Sequence, residues 1–317
     1  MTATDGAATA RTSPPPAHRD GAATSRRRPR RRDHRAYLYV APAFLFVAAF
    51  VLYPVGQAIW ISLYQWDGVT LAKWVGLGNY LTALSSPALT QSYLHVGVLV
   101  FFYAVLPVAV ALVLAALLQR GARLRGVGVL QTLIFLPQVV AAVVIGVIWT
   151  SIYAPDGLIN SALRLLGLGV VAHAWLGDFS TALPAVGLIG TWVEIGLCLV
   201  LFLAGIAQIP GELYEAARVD GAGFFRELVA VTLPALRGPL SVALTLTVVA
   251  ALKTFDIVFV TTGGGPGTST TVPAYQVYNL AFNQGQVGMA TTIGIILTVL
   301  VLLVTLLIRR IAPRDDA

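Results

Sequence analysis

The sequence predicts an all-α polytopic membrane protein with six transmembrane helices and both termini cytoplasmic, and three observations carry that prediction. Of the 317 residues, 57% are hydrophobic and only 11% charged, with a mean hydropathy of +0.80, a balance that ordinary soluble domains do not show. Six nearly uncharged runs follow one another at 37–63, 94–118, 127–153, 184–207, 239–262 and 290–308. Each matches the ~20 apolar residues that a helix needs to cross a bilayer, and together they leave too little polar surface to clothe a soluble core. The third observation is where the arginines fall.

Residues 1–36 are rich in Ala, Thr, Pro and Arg and contain Ser13-Pro14-Pro15-Pro16, so this segment cannot bury a core and is expected to be a disordered basic tail. Its nine arginines, against Asp5, Asp20 and Asp33, hold nearly all of the net charge of +7. A basic arm beside an apolar helix is a topology signal held on the cytoplasmic, anionic side rather than a nucleic-acid surface. The first run, at 27 residues, is far longer than the apolar part of a cleavable signal, about 7 to 15 residues, so it is expected to remain as a helix. Pro54, Pro107 and Pro137 lie inside runs and predict kinks.

With the tail inside, Arg120, Arg123, Arg125, Arg218, Arg226, Arg237, Arg309, Arg310 and Arg314 also fall inside, and only Lys73 and Arg164 lie in outer loops. The membrane domain is therefore placed at 37–311, with a short inner tail at 312–317. Tyr64, Trp66, Trp74, Trp149, Tyr153 and Trp175 fall at or near the expected membrane edges, as interfacial belts do. The single Cys198 excludes an internal disulfide, and the scattered His18, His34, His95 and His173 offer no metal site.

A plain bundle does not need the inner loop at 208–238, which carries Glu212, Glu215, Arg218, Asp220, Arg226, Glu227 and Arg237. Pro210 suits a first helical turn, Glu212 and Glu215 suit the positive end of a helix, and Gly221 can stop it in a left-handed conformation. A second helix is expected from Gly223 toward Pro234.

Glu215-Ala216-Ala217, Gly221 four positions on, and then Val231, Leu233 and Pro234 resemble the cytoplasmic signature of permease subunits in binding-protein-dependent ABC importers. Val231 stands where isoleucine is usual. The stretch from Ile209-Pro210 to Asp220-Gly221-Ala222 is similar to the sugar-importer branch. Gly76-Leu77-Gly78-Asn79-Tyr80, Gly157-Leu158-Ile159-Asn160, Thr262-Gly263-Gly264-Gly265-Pro266 and Tyr278 with Ala281-Phe282 resemble the maltose-type first permease of a heterodimeric pair. His95-Val96 departs from the Asn-Thr common in that family.

The resemblance implies a type I importer permease fold in a bacterial cell membrane, moving a carbohydrate. It also implies a second permease subunit, two ATPase subunits and an extracytoplasmic solute-binding protein. Glu215, Ala216, Ala217, Asp220, Gly221, Leu233 and Pro234 would then form the loop that docks on the ATPase, and Gly263, Gly264, Gly265 and Pro266 would meet the binding protein. ATP and Mg would be held by the partner, and no cofactor or metal is expected in this chain. The glycine-rich stretch lacks the Gly-Lys-Ser/Thr of a phosphate-binding loop, so a flexible turn is expected there.

Lys253 and Asp256 are three apart in the fifth run and are expected to share a helix face and partly neutralise each other. Intramembrane charges are costly and face a polar cavity or a partner, so Lys253, Thr254 and Asp256 are candidates for the solute path. A structural ion pair at a subunit interface is the competing reading. Glu194, mid-run in the fourth, reads as a packing or interface group. The function from another class is an ion-coupled secondary transporter using Asp256, Lys253 and Glu194 as a proton relay.

Overall fold

Prolines set the shape of the helices. In the computed structural model, which describes residues 35–120 and 126–311, three prolines each follow a widened π-type stretch: Ala48–Leu52 before Pro54, Phe101–Val105 before Pro107 and Leu228–Thr232 before Pro234. Proline lacks the N–H of the helical ladder and its ring crowds the carbonyl four residues back, so a wider turn relieves both defects without ending the helix. The expected tails at 1–36 and 312–317 lie almost wholly outside the described residues.

The chain divides into units 1–51 and 52–317. In the first, α1 (Arg35–Val47) leads into its π stretch with Phe44, Leu45 and Phe46 exposed and the Phe46 and Phe50 rings 4.6 Å apart. In the second, α2 (Tyr53–Ser62) leads to β1 (Tyr64–Gln65) and β2 (Lys73–Trp74), a two-stranded antiparallel ribbon pairing Tyr64 with Trp74 that an all-α expectation did not include. Helix α3 (Gly78–Ser85) stitches the ribbon in place: buried Asn79 donates to the carbonyls of Ser62 (2.8 Å) and Tyr64 (2.9 Å), and the Tyr80 and Ser62 hydroxyls lie 2.8 Å apart.

Next come α4 (Pro87–Val100), α5 (Leu106–Arg120), α6 (Val127–Val139), α7 (Ala142–Ile152), α8 (Leu158–Leu165) and α9 (Ala182–Ile206). Then follow α10 (Gly211–Val219), α11 (Phe224–Glu227), α12 (Leu233–Ala235), α13 (Arg237–Leu252), α14 (Asp256–Thr261), α15 (Pro273–Tyr278) and α16 (Val287–Ile311). Among the described residues, four helices are long and apolar enough to cross a membrane: Tyr39–Ser62, Pro87–Arg120, Ala182–Ile206 and Val287–Arg310. Two bent pairs, Gly128–Val139 with Ala142–Ile152 at 103° and Phe224–Ala235 with Arg237–Leu252 at 79°, raise the number to six if each is one span.

The expected third run is therefore not a kinked rod. Three residues after Pro137, Val140 and Ala141 are extended (ψ 137° and 134°) and the chain turns through a right angle. The expected fifth run is also broken, between α13 and α14. Its break lies within the candidate solute path.

Helix α9 runs through the centre of the second unit. Its first half packs with Leu99, Tyr103, Ile145, Leu252 and Val258, and its second half, with Cys198, Leu199 and Phe202, packs with Val108, Ala111, Leu236 and Ala243. The Tyr103 ring lies directly on Gly190, where even a methyl group would overlap it. Small residues at helix crossings are the means by which membrane helices gain packing contacts when lipid offers no hydrophobic advantage. After α7, buried Asn160 donates to the His173 carbonyl (2.8 Å) and accepts from the Trp175 indole (2.9 Å), tying α8 to the segment that precedes α9.

Candidate functional site

Three places in the second unit hold the residues singled out from the sequence. The first is the hairpin of α10 and α11. Gly221 has φ +75°, its N–H donates to the Arg218 carbonyl (3.0 Å) and the Ala222 N–H to the Ala217 carbonyl (2.9 Å). Those two bonds satisfy the carbonyls left over at the helix end and turn the chain sharply into α11. Glu212, Leu213, Glu215, Ala216, Val219 and Asp220 are exposed along α10, whereas Tyr214 is buried with its hydroxyl 3.1 Å from that of Thr232. Leu233 is half-buried and Pro234 exposed at the far end of the second helix.

Behind α10 lies a cavity of about 440 Å³ lined in part by Tyr214, Arg218, Phe224 and Glu227 and by Arg120 from α5. Glu227 is 3% exposed and takes Arg120 Nη2 at 2.7 Å on one carboxylate oxygen and Arg218 Nε at 3.2 Å on the other. The Arg120 guanidinium also lies 5.1 Å from the centre of the Phe224 ring. The sequence shows all three charges but not their meeting.

Hydrogen bonding from Arg120, opposed by burial and reinforced by Arg218, holds the Glu227 carboxyl below the usual carboxylate range. A carboxyl depressed in the folded state contributes stability above its unfolded value, and that contribution is lost as pH falls through the folded value. Amide exchange across 211–235, corrected for intrinsic rates, should therefore be constant above about pH 5 and accelerate below about pH 4. Constant protection down to the acid end would remove Glu227 from the hairpin's stability.

The second place is the break in the fifth run. Helix α13 ends at Leu252, Lys253 caps it, Phe255 leaves helical geometry (φ −139°, ψ −57°), and α14 starts at Asp256. Lys253 and Asp256 thus do not share a helix face. The ion pairs among the described residues are Arg120–Glu227, Arg218–Glu227 and Arg164–Asp156, and Lys253 and Asp256 are both exposed without pairing. Each sits at the helix end that suits its charge, the cation at a C-terminus and the carboxylate at an N-terminus. Thr254 between them is buried with its hydroxyl 3.3 Å from that of Tyr103. Phe255 stacks on Phe259 (5.2 Å), and Tyr278 meets both rings at 5.5 and 5.1 Å. Glu194 is buried on α9, and its Oε2 has no hydrogen-bond partner.

The third place is the glycine-rich stretch after α14, and it is not the loose turn expected. Thr270 Oγ1 donates to the Gly265 carbonyl (2.8 Å) and lies 2.7 Å from Thr262 Oγ1, while Thr271 Oγ1 donates to the Gly264 carbonyl (3.1 Å). Gly264, at φ +84°, is buried against Tyr275, so a side chain there would meet both backbone strain and the ring. Gly263 remains exposed, with Gly265 and Pro266 half-buried beside it. His95, the departure noted in the second run, holds this loop through Nδ1 at 2.8 Å from the Thr271 carbonyl.

A family model described as the binding-protein-dependent transport system inner membrane component matches residues 108–315. A diacetylchitobiose uptake system permease protein of Streptomyces coelicolor is 35% identical over 95% of this chain and 89% of its own length. A trehalose/maltose transport system permease protein of Thermococcus litoralis is 36% identical over 85% of this chain and 90% of its own. Among solved structures, a chain of a bacterial alginate ABC transporter in complex with an alginate-pentasaccharide-bound periplasmic protein superposes with a TM-score of 0.73, covering 89% of this chain and 95% of that one at 21% identity.

Proposed function

Because the chain belongs to the family of binding-protein-dependent transport system inner membrane components, we propose that it is one permease subunit of an ABC importer for a sugar, oligosaccharide or related polyol. Family membership removes the ion-coupled carrier as an account of Lys253, Asp256 and Glu194, and members of the family are transport components rather than enzymes. The carbohydrate class rests on the substrates for which the two permease relatives are named.

In this reading the chain crosses the bacterial plasma membrane six times with both termini cytoplasmic. The arginine asymmetry supports that orientation, and the two bent pairs supply helices beyond the four straight ones. A second permease completes the pore, two ATPase subunits hold ATP and Mg, and an extracytoplasmic binding protein delivers the solute to the loop at Gly263, Gly264, Gly265 and Pro266. No cofactor resides in this chain.

The observation that carries the reading is the hairpin of α10 and α11. A short helix with an exposed outer face, stopped by a left-handed glycine and anchored from behind by Glu227, has the form of a docking element. Closure of the ATPases on ATP moves α10, and the spans alternate access to a cavity bordered by Lys253, Thr254 and Asp256. ATP does this only by binding one of the two states better than the other.

Gentle extraction of the tagged chain from its native membranes, followed by mass spectrometry of what stays bound, should recover an ATPase and a second permease. Cross-linking through a thiol placed at Gly263 should add the binding protein, whose co-purifying ligand names the solute. A chain recovered only with itself would overturn the heterodimer, and an amino acid or peptide ligand would overturn the carbohydrate.

A further inference from the structure

The three places described above share one helix. The second run, continuous from Pro87 to Arg120, carries Arg120 at its inner end, Tyr103 in its π stretch and His95 nearer its outer end. Arg120 reaches the docking hairpin through Glu227, the Tyr103 hydroxyl reaches Thr254 at the break of the fifth run, and His95 reaches the Thr271 carbonyl behind the glycine-rich loop. From Tyr103 to Arg120 is about 25 Å along a helix axis rising ~1.5 Å per residue.

We propose that this second span is the rod that carries movement of α10 to the solute path, with Glu227 as the positioning residue that joins it to the docking helix. The inference rests on the importer reading. Its physical basis is the difference between the joints.

Of the contacts named between the hairpin and this span, the Arg120–Glu227 pair is buried on its carboxylate side, charge-assisted and short. Such a bond resists being pulled apart, because separation leaves a charge buried and unpaired. The same carboxylate holds Arg218 in the last turn of α10, so a displacement of α10 is delivered to Arg120 rather than absorbed in the loop. Thr232, which meets Tyr214, ties α10 to the second helix of the hairpin as well and makes the hairpin one body.

At mid-membrane the coupling arrives at a weak point. The Tyr103 ring is fixed on Gly190, and its hydroxyl meets Thr254, which lies in the break itself, between the end of α13 and the start of α14. Broken helices re-arrange at little cost where an intact ladder would resist. A small shift of the second span therefore opens or closes the break between Lys253 and Asp256.

The test uses the whole transporter in liposomes with its second permease, ATPases and binding protein. Cys198 is replaced by Ala, and Phe255→Cys then supplies the one thiol of this chain, half-buried in the break so that its rate of maleimide labelling reports opening while the Tyr103–Thr254 hydroxyl contact stays in place. With Glu227 intact, trapping the ATPases with ATP and vanadate should change the labelling rate at position 255. Glu227→Gln should cut that change by about tenfold while ATP hydrolysis continues, the size expected from losing one charge-assisted buried bond.

Tyr103→Phe, which deletes one hydroxyl and keeps the packing, should cut it too. If Glu227→Gln prevents assembly, Arg120→Lys keeps the charge and loses the guanidinium geometry, and the same reduction is expected. A nucleotide-dependent swing of normal size in Glu227→Gln or Arg120→Lys overturns the rod. A merely structural Glu227 would raise labelling equally with and without nucleotide. No swing with Glu227 intact also overturns the rod, whereas a reconstituted assembly that takes up no solute on ATP overturns the importer reading itself, so the two failures are distinguishable.

Discussion

Gly221→Val should reduce solute uptake to background while the chain still inserts and accumulates in the membrane. The residue holds φ +75°, and a Cβ placed on it meets no atom within 4 Å, so the substitution creates no clash. Its whole effect acts through the backbone. A β-branched residue in the left-handed region is strained by roughly 1–3 kcal/mol, and the chain relieves the strain by moving to negative φ. That move breaks the Gly221 to Arg218 and Ala222 to Ala217 hydrogen bonds and swings α11 away from α10, pulling Glu227 from Arg218.

Helix α10 and Gly221 lie outside the apolar spans, so insertion is spared and the loss falls on coupling. Uptake measured against the amount of chain in the membrane fraction checks this result. Gly221→Asn is the control, since asparagine tolerates left-handed geometry and should retain much of the uptake. Normal uptake in the valine variant would remove the hairpin from the transport cycle.

How much of this was legible in the sequence depends on how local each signal is. The hairpin was legible because Pro210, Glu212, Glu215 and Gly221 each act within one turn of their own position, and α10 ends where Gly221 requires. The apolar runs were legible for the same reason. The right-angle turn after Pro137 was not, because proline predicts a weakened ladder and neighbouring helices set the angle.

The cluster of Arg120, Arg218 and Glu227 was invisible for a different reason. Its members are ordinary charges, with Arg120 far from the other two in the sequence, until the fold brings α5 against the hairpin. The break at Lys253 to Phe255 has a trace in the sequence. Polar residues at 253, 254 and 256 interrupt an otherwise apolar run, and a cation followed by Thr-x-Asp suits one helix ending and another beginning. The glycine-rich loop is the opposite case, because Thr270 and Thr271 donate to the Gly265 and Gly264 carbonyls and Thr262 meets the Thr270 hydroxyl, holding a backbone that the glycines alone would leave flexible.

The break makes the second large prediction specific. Asp256→Ala should lower uptake by about 10- to 150-fold at a fixed low solute concentration, the range expected when a hydrogen bond to a charged group worth ~1.5–3 kcal/mol is lost. Hydrolysis of ATP stimulated by the binding protein should fall far less, because α14 is distant in the chain from the docking hairpin and its carboxylate faces outward rather than into the core.

The competing account, a structural ion pair with Lys253, makes a different prediction. Removing one partner of a pair leaves the other uncompensated, so Lys253→Ala should then rescue Asp256→Ala. With the two charges unpaired and on separate helices, rescue is not expected, and the double variant should be at least as impaired as the single one. Asp256→Asn separates charge from hydrogen bonding: intermediate uptake with a raised KM and unchanged maximal rate places the carboxylate on the solute. Unaltered uptake in Asp256→Ala, with normal assembly, would return the residue to a packing role and leave Thr254 alone at the centre of the path.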